Sequence, residues 1–160
     1  MSRLCAVFEL RVPDSLYKRL MQPLLRSYRP EDREALVSLW SICELTRPWN
    51  KPDRDIDRKL ARDGGNLLVL GQDGLLIGSL MVAYEGHRGW VNYLAVHPAH
   101  RRRGLGRLLM EQAEARLRSL GCAKVNLQIR TSDTNASEFY RRIGYGADDV
   151  VSMGKRLESD

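Results

Sequence analysis

Cysteine is scarce in this chain of 160 residues: there are three, Cys5, Cys43 and Cys122, an odd number set far apart. None belongs to a CxxC pair or a cysteine–histidine cluster, which argues against a disulfide framework and a structural zinc site, and no metal is expected. The thiols are read as reduced and packed like small hydrophobes. Long apolar runs are missing too, for no window approaches the length needed to cross a bilayer. The stretch Leu4–Leu10 is too short for a signal core, is broken by Glu9, and is followed by no small-residue cleavage site. No membrane role is expected, and the chain is read as cytoplasmic. Repeats, low-complexity segments and internal linkers are also absent, which leaves one domain of ordinary size.

What is present supports a folded chain. Hydrophobic residues make up 43%, too many for a disordered sequence and enough for a sizeable core. The net charge of +6 attracts anions in general. Its placement says more, because Arg101, Arg102, Arg103 and Arg107 fall within one short stretch. Residues 1–22 read as an N-terminal extension: a weak apolar run, Pro13-Asp14, then a helix-like Leu16–Leu20. Met21 is a candidate native start, which N-terminal sequencing of the native protein would test. The recognisable domain occupies residues 23–160.

Within it, Leu24–Tyr28 reads as a strand. Pro30 suits a first helical position, with Glu31 and Asp32 in the first turn and Leu36, Leu39, Trp40 and Cys43 at helical spacing, so a helix is expected over 30–44. A loop bounded by Pro48 and Pro52 leads to a second helix over 54–63, stopped by Gly64-Gly65. Three strands follow, Asn66–Leu70, Leu75–Tyr84 and Trp90–Val96, separated by turn residues close enough for antiparallel hairpins. From Gly104 to Leu120 one apolar stripe runs through Leu105, Leu108, Leu109, Ala113, Leu117 and Leu120, and Gly121 supplies the stop. A strand at Lys124–Ile129, a helix over 134–143 and a last strand at Val150–Leu157 complete the pattern. It describes a mixed α/β domain with a largely antiparallel sheet.

The most informative segment is Tyr93–Gly106: an apolar strand, a short turn, and a glycine-containing loop that opens a helix. Helix N-termini carry unpaired amides and the positive end of the macrodipole, which suit phosphate. Gly104 and Gly106 remove Cβ atoms where a pyrophosphate must come close to backbone, and the arginines add attraction and forked contacts. A solvated basic helix start or a nucleic-acid patch are the plainer readings of a basic run. Placement behind an apolar strand and at the mouth of a long amphipathic helix favours an anion cradle. The spacing fits neither GxxxxGK[ST] nor GxGxxG, since Leu109 stands at the third glycine's position.

Here the sequence resembles the GNAT superfamily of N-acetyltransferases. The hallmark Arg/Gln-x-x-Gly-x-Gly/Ala is matched by Arg101-Arg102-Arg103-Gly104-Leu105-Gly106. Leu94-Ala95-Val96-x-Pro98 precedes it, and Phe139–Tyr145 is similar to the family's Tyr-x-x-x-Gly-Phe/Tyr segment. The resemblance runs from about Leu24 to Leu157 and implies helices on both faces of the sheet. It further implies acetyl-CoA as co-substrate, with backbone groups of Leu94, Ala95 and Val96 on the pantetheine arm and amides of Arg101–Gly106 on the pyrophosphate.

Acetyl transfer to an amine requires a neutral nucleophile, a stabilised oxyanion and a leaving thiolate. A backbone amide splayed at the end of the Leu94–Val96 strand serves the oxyanion, with Ala95 and Val96 as first candidates. Tyr140, matching the family position, is the candidate acid for the thiolate, since a phenol of pKa about 10 is protonated at neutral pH. Its plainer reading is packing. Family members often carry Asn where this chain has Asp133, so either the turn is shifted and Asn135 makes that cofactor contact, or the contact is absent. Glu85 or its neighbour His87 is a candidate to relay a proton from the amine, although both also read as solvated loop residues and a water chain would serve as well.

Arg47-Pro48-Trp49-Asn50 and Gly86-His87-Arg88-Gly89 are similar to signatures of a bacterial GNAT subgroup of poorly defined substrate. Arg47 and Arg88 are candidates to clamp an anionic group on the acceptor, with His87 nearby and Trp49 as an apolar wall or a core cap. The amine acceptor is open at this point: a small molecule, or the N-terminus or a lysine of a protein. A non-catalytic acetyl-CoA-binding regulator is the competing class, against which Tyr140 counts. No nucleic-acid partner is expected, for neither a stacking platform nor a recognition helix accompanies the charge. A homodimer is compatible with such a domain.

Overall fold

The computed structural model describes residues 22–157. The expected helix-like Leu16–Leu20 and the candidate start at Met21 lie outside them, as does Cys5. The elements in order are β1 (Leu24–Ser27), α1 (Arg33–Ile42), α2 (Pro52–Asp63), β2 (Leu67–Gln72), β3 (Leu75–Tyr84), β4 (Gly89–Val96), α3 (Leu105–Ser119), β5 (Val125–Asn126) and α4 (Thr134–Arg142). The five strands form one sheet in sequence order, antiparallel throughout except for β4 with β5. Among the described residues no helix is long and apolar enough to cross a membrane.

Strand alternation sorts the core into two layers. Leu68 and Leu70 of β2 join Ile77, Leu80 and Val82 of β3 beneath Leu109, Met110, Ala113 and Leu117 of α3. Leu67 and Val69 point the other way, toward Leu36, Leu39 and Trp40 of α1 and Ile56 of α2. A strand's period of two makes both faces of β2 apolar, so it is buried from both sides, as a central strand between helical layers must be.

Helix boundaries shift for local reasons. Pro30–Asp32 forms a 3-10 turn rather than the first α turn, because the Asp32 carboxylate accepts from the Arg29 amide at 2.8 Å and from both Arg26 guanidinium nitrogens at 2.6 and 2.7 Å. The second helix starts at Pro52, where a proline costs nothing because its missing N–H would be unpaired anyway.

Two expectations fail at the C-terminal side. The strand expected over Lys124–Ile129 shortens to Val125–Asn126, and Val150–Leu157 forms no strand. Val150, Val151, Met153 and Leu157 are exposed by between 76% and 92%, and none of the described strands pairs with their segment. Gln128 Nε2 donates to Ser152 Oγ at 2.5 Å between the two segments, and Lys124 Nζ binds Asp148, just before the second, at 2.6 Å.

Candidate active site

The site is built on β4. This strand pairs with β3 along its length, but with β5 only at Gly89–Val125 and Trp90–Asn126. Pairing with β5 ends there, and a fork opens with Val91–Val96 as one arm. The His97 amide donates to the Ile77 carbonyl at 2.8 Å. Ladder alternation therefore turns Ala95 toward β3, and Leu94 and Val96 toward the fork. The Val96 carbonyl agrees, for it accepts from Arg101 Nε at 3.1 Å and from Cys43 Sγ at 3.4 Å instead of from β3. Of the two amides singled out from the sequence, Val96 faces the opening and Ala95 does not. Leu94 takes its place.

A bulge causes this change of direction. Register between β3 and β4 slips between Ser79 and Met81, and Tyr93 adopts φ of 51°. A non-glycine residue held there costs about 1–3 kcal/mol and persists only when its surroundings enforce it. The surroundings do so. Ser79 Oγ donates to the Tyr93 carbonyl at 3.1 Å, and Trp40 Nε1 donates to Ser79 Oγ at 2.8 Å. The Trp40 and Tyr93 rings stack with centroids 4.0 Å apart, and the Tyr93 hydroxyl donates to Asp55 Oδ2 at 2.6 Å. Burial, with the Asp55 carboxylate in support, pushes the Tyr93 phenol well above its ordinary value. None of Ser79, Tyr93 and Asp55 stood out in the sequence. Tyr93-Leu94-Ala95-Val96 is apolar throughout and offers no alternation whose break would reveal a bulge.

Beyond β4 the chain makes a 3-10 turn at Pro98–His100, then passes through two left-handed residues, Arg102 (φ 62°) and Gly104 (φ 77°). Left-handed residues in such a turn point successive amides to one side, which makes an anion nest. The amides of Arg102, Arg103 and Gly104 find no acceptor among the described residues, and helix geometry leaves those of Leu105, Gly106 and Arg107 unpaired. A Cβ on Gly104 would meet nothing within 4 Å, so space for a phosphate is present on that side. The turn thus fits a pyrophosphate. Gly106 has a different reason to be glycine: a Cβ there would lie 3.1 Å from Cζ of Phe139. The arginines are not equivalent either. Arg101 is tied to Val96, and Arg103 Nη1 lies 2.9 Å from His100 Nδ1, whereas no such tie is found for Arg102.

Tyr140 arrives from α4. Its ring meets those of Phe139 and Tyr145 edge-on, with centroids 5.0 and 5.7 Å away, and packs against the core cluster beneath α3 that Leu94, Val96 and Leu108 also border. Burial, with the charge of Asp133 adding, raises its phenol well above the usual tyrosine range. Its hydroxyl has no hydrogen-bond partner among the described residues. Asp133 caps α4, its Oδ1 accepting from the Ala136 amide at 2.9 Å, and Asn135 is exposed in the first helical turn.

The remaining candidates lie elsewhere. Glu85 accepts from the amides of His87 and Arg88 at 3.2 and 2.6 Å and so closes the β3–β4 turn. That turn precedes Gly89, and at about 3.3 Å per residue Gly89 is roughly 16 Å from Leu94. Glu85, His87 and Arg88 therefore lie at the Gly89 end of β4, away from the Leu94–Val96 end of the arm. Arg47 is half-buried in the α1–α2 loop, which begins at Cys43 beside Val96, whereas Arg88 lies in the turn that leads into Gly89 at the other end of β4. Trp49 is 52% exposed, with the Arg156 guanidinium 5.4 Å from its ring, which rules it out as a core cap.

A forked sheet, a bulged strand and a turn of unpaired amides at the mouth of the next helix form the scaffold of an acyltransferase, and comparison agrees. Residues 23–145 match the acetyltransferase (GNAT) family. Acetyltransferase ECA0875 of Pectobacterium atrosepticum is 40% identical over 136 residues, which span 85% of this chain and 96% of that protein. The solved structure of AAC(6')-Iy with the bisubstrate analogue CoA-S-monomethyl-acetylneamine superposes with a TM-score of 0.69 at 17% identity, covering 85% of this chain and 99% of that one. Glucosamine-6-phosphate N-acetyltransferase from Arabidopsis thaliana gives 0.63 at 22% identity, covering 86% and 99%. The two solved structures share the fold. This chain belongs to the GNAT family and is an acetyltransferase.

Proposed function

We propose that the protein moves an acetyl group from acetyl-CoA to a primary amine by direct attack within a ternary complex. The observation that carries this reading is the run of outward amides, from Leu94 and Val96 on the fork arm to the unpaired amides of Arg102–Gly106 in the turn. The turn would hold the pyrophosphate, with Arg102 and Arg103 adding charge. The strand amides would pair with the pantetheine arm, and the Leu94 amide would face the thioester carbonyl as charge develops on its oxygen. Tyr140 would donate its proton to the departing thiolate. Its raised pKa keeps the phenol protonated at neutral pH and makes it a weaker acid, so the charge growing on sulfur has to drive the transfer.

Acetyl-CoA titration by calorimetry tests the donor. Because Arg101 also secures the end of β4, the cleaner variant is Arg102→Ala/Arg103→Ala. Loss of charge-assisted contacts is expected to weaken binding by about 10-fold or more without changing the fold. Failure of folded wild-type protein to bind acetyl-CoA would remove the donor from this reading. For the acid, Tyr140→Phe is expected to lower kcat by on the order of 10²-fold or more while acetyl-CoA affinity stays near wild type. Equal losses in both would make Tyr140 a packing residue.

A further inference from the structure

The bulge that turns Leu94 toward the fork is enforced by groups remote from any substrate. Ser79 is fully buried, and it is the junction of the arrangement: its hydroxyl accepts from Trp40 Nε1 and donates to the Tyr93 carbonyl. Because the indole N–H can only donate, it occupies a lone pair of the serine oxygen and leaves the serine proton for the carbonyl. That carbonyl belongs to the peptide whose nitrogen is Leu94's. Fixing the Tyr93 C=O therefore fixes the direction of the Leu94 N–H, since the peptide unit is planar and the two groups point in opposite senses. Trp40 stacking and the Asp55 carboxylate hold the Tyr93 side chain, and so limit rotation of the same residue from its other end.

We propose that Ser79 is a positioning residue for acetyl transfer: through the Tyr93–Leu94 peptide it aims the Leu94 amide at the position of the thioester oxygen, with Trp40 setting the direction of its hydroxyl. The inference rests on the acetyl-CoA reading above and adds to it a buried residue on β3 that touches neither donor nor acceptor. Removing the hydroxyl leaves the Tyr93 carbonyl without its partner, so the left-handed residue can relax and swing the amide away. A displacement near 1 Å at a reacting group can cost about 10²-fold in rate, while distant contacts to the same ligand survive. The pyrophosphate turn lies past the end of β4 and shares none of these bonds, so donor affinity and carbonyl polarisation are expected to separate.

The test uses acetyl-CoA labelled with carbon-13 at the thioester carbonyl, bound to the full-length protein, and reads its infrared stretch. Calorimetry gives the affinity in parallel. Wild type is expected to lower the stretch relative to free acetyl-CoA, as a hydrogen bond to the oxygen does. In Ser79→Ala the stretch should return toward the free value, with the dissociation constant within about 3-fold of wild type and kcat for any acceptor reduced about 10- to 100-fold. Trp40→Phe keeps the stacked ring and removes the indole N–H, and a smaller shift in the same direction is expected. It carries the test alone should Ser79→Ala not fold. A wild-type shift retained in full by these folded variants overturns the proposal and leaves the donor reading intact. Binding with no shift in wild type overturns it too, whereas no binding at all takes the donor reading down with it.

Discussion

Gly104 and Gly106 flank Leu105 in one turn and are glycines for unlike reasons. Gly104 has φ of 77° with open space around it, and Gly106 has an ordinary helical backbone with Phe139 pressed against it. Gly104→Ala should therefore cost about 1–2 kcal/mol of backbone strain and disturb the amides of the turn, weakening acetyl-CoA binding. Gly106→Ala should lower stability by about 1–3 kcal/mol through overpacking against the ring. Thermal melting with calorimetry on both variants separates the two: loss of binding that follows Gly106 alone would reverse these assignments. The pair of glycines was legible in the sequence, but the reason for each was not, because Phe139 meets Gly106 only when α4 folds back onto α3.

At the scale of elements, Asp32 joins β1 to α1. Its pKa is held below the ordinary carboxylate value, chiefly by the Arg26 hydrogen bond and further by the Arg29 amide, against a desolvation that works the other way. A depressed carboxylate contributes its stability in full above the unfolded value of about 4, and loses it as pH falls through the lower folded value. Melting temperatures of wild type and Asp32→Asn should differ most near neutral pH and converge as pH drops below about 4. A gap independent of pH would show that the carboxylate's charge is not what stabilises the junction. The sequence placed Asp32 in the first turn of a helix, where an acidic residue suits the macrodipole. Its actual partner, Arg26 on the preceding strand, depends on the chain doubling back.

For the whole molecule, stability should follow the two core layers rather than apolar content. Leu109 is fully buried between α3 and the sheet, and Leu109→Ala is expected to cost about 2–5 kcal/mol in denaturant titration. Val150 is 76% exposed in the segment expected to be a strand, and Val150→Ala should stay within about 0.5 kcal/mol of wild type. A loss at Val150 comparable to that at Leu109 would mean that Val150–Leu157 is covered by something in solution. The sequence reads both segments as ordered elements with apolar residues, and only burial separates them.

The sequence by itself determined most of what is periodic or punctuated. The helices, the hairpin strands, the stripe of α3 and the arginine–glycine turn at its N-terminus all follow from spacing within a few residues of one another. Tertiary structure decided what depends on contacts between distant segments. It halted β4–β5 pairing after Trp90, turned Leu94 rather than Ala95 toward the fork, packed Tyr140 against the core cluster that Leu94 and Val96 also border, and kept Glu85 and Arg88 in the turn at the far end of β4. The physical reason is that an amide's direction is set by its ladder partner and by bulges. At Tyr93 the bulge is held by Trp40 and Ser79 from two other elements, and no local pattern records such partners.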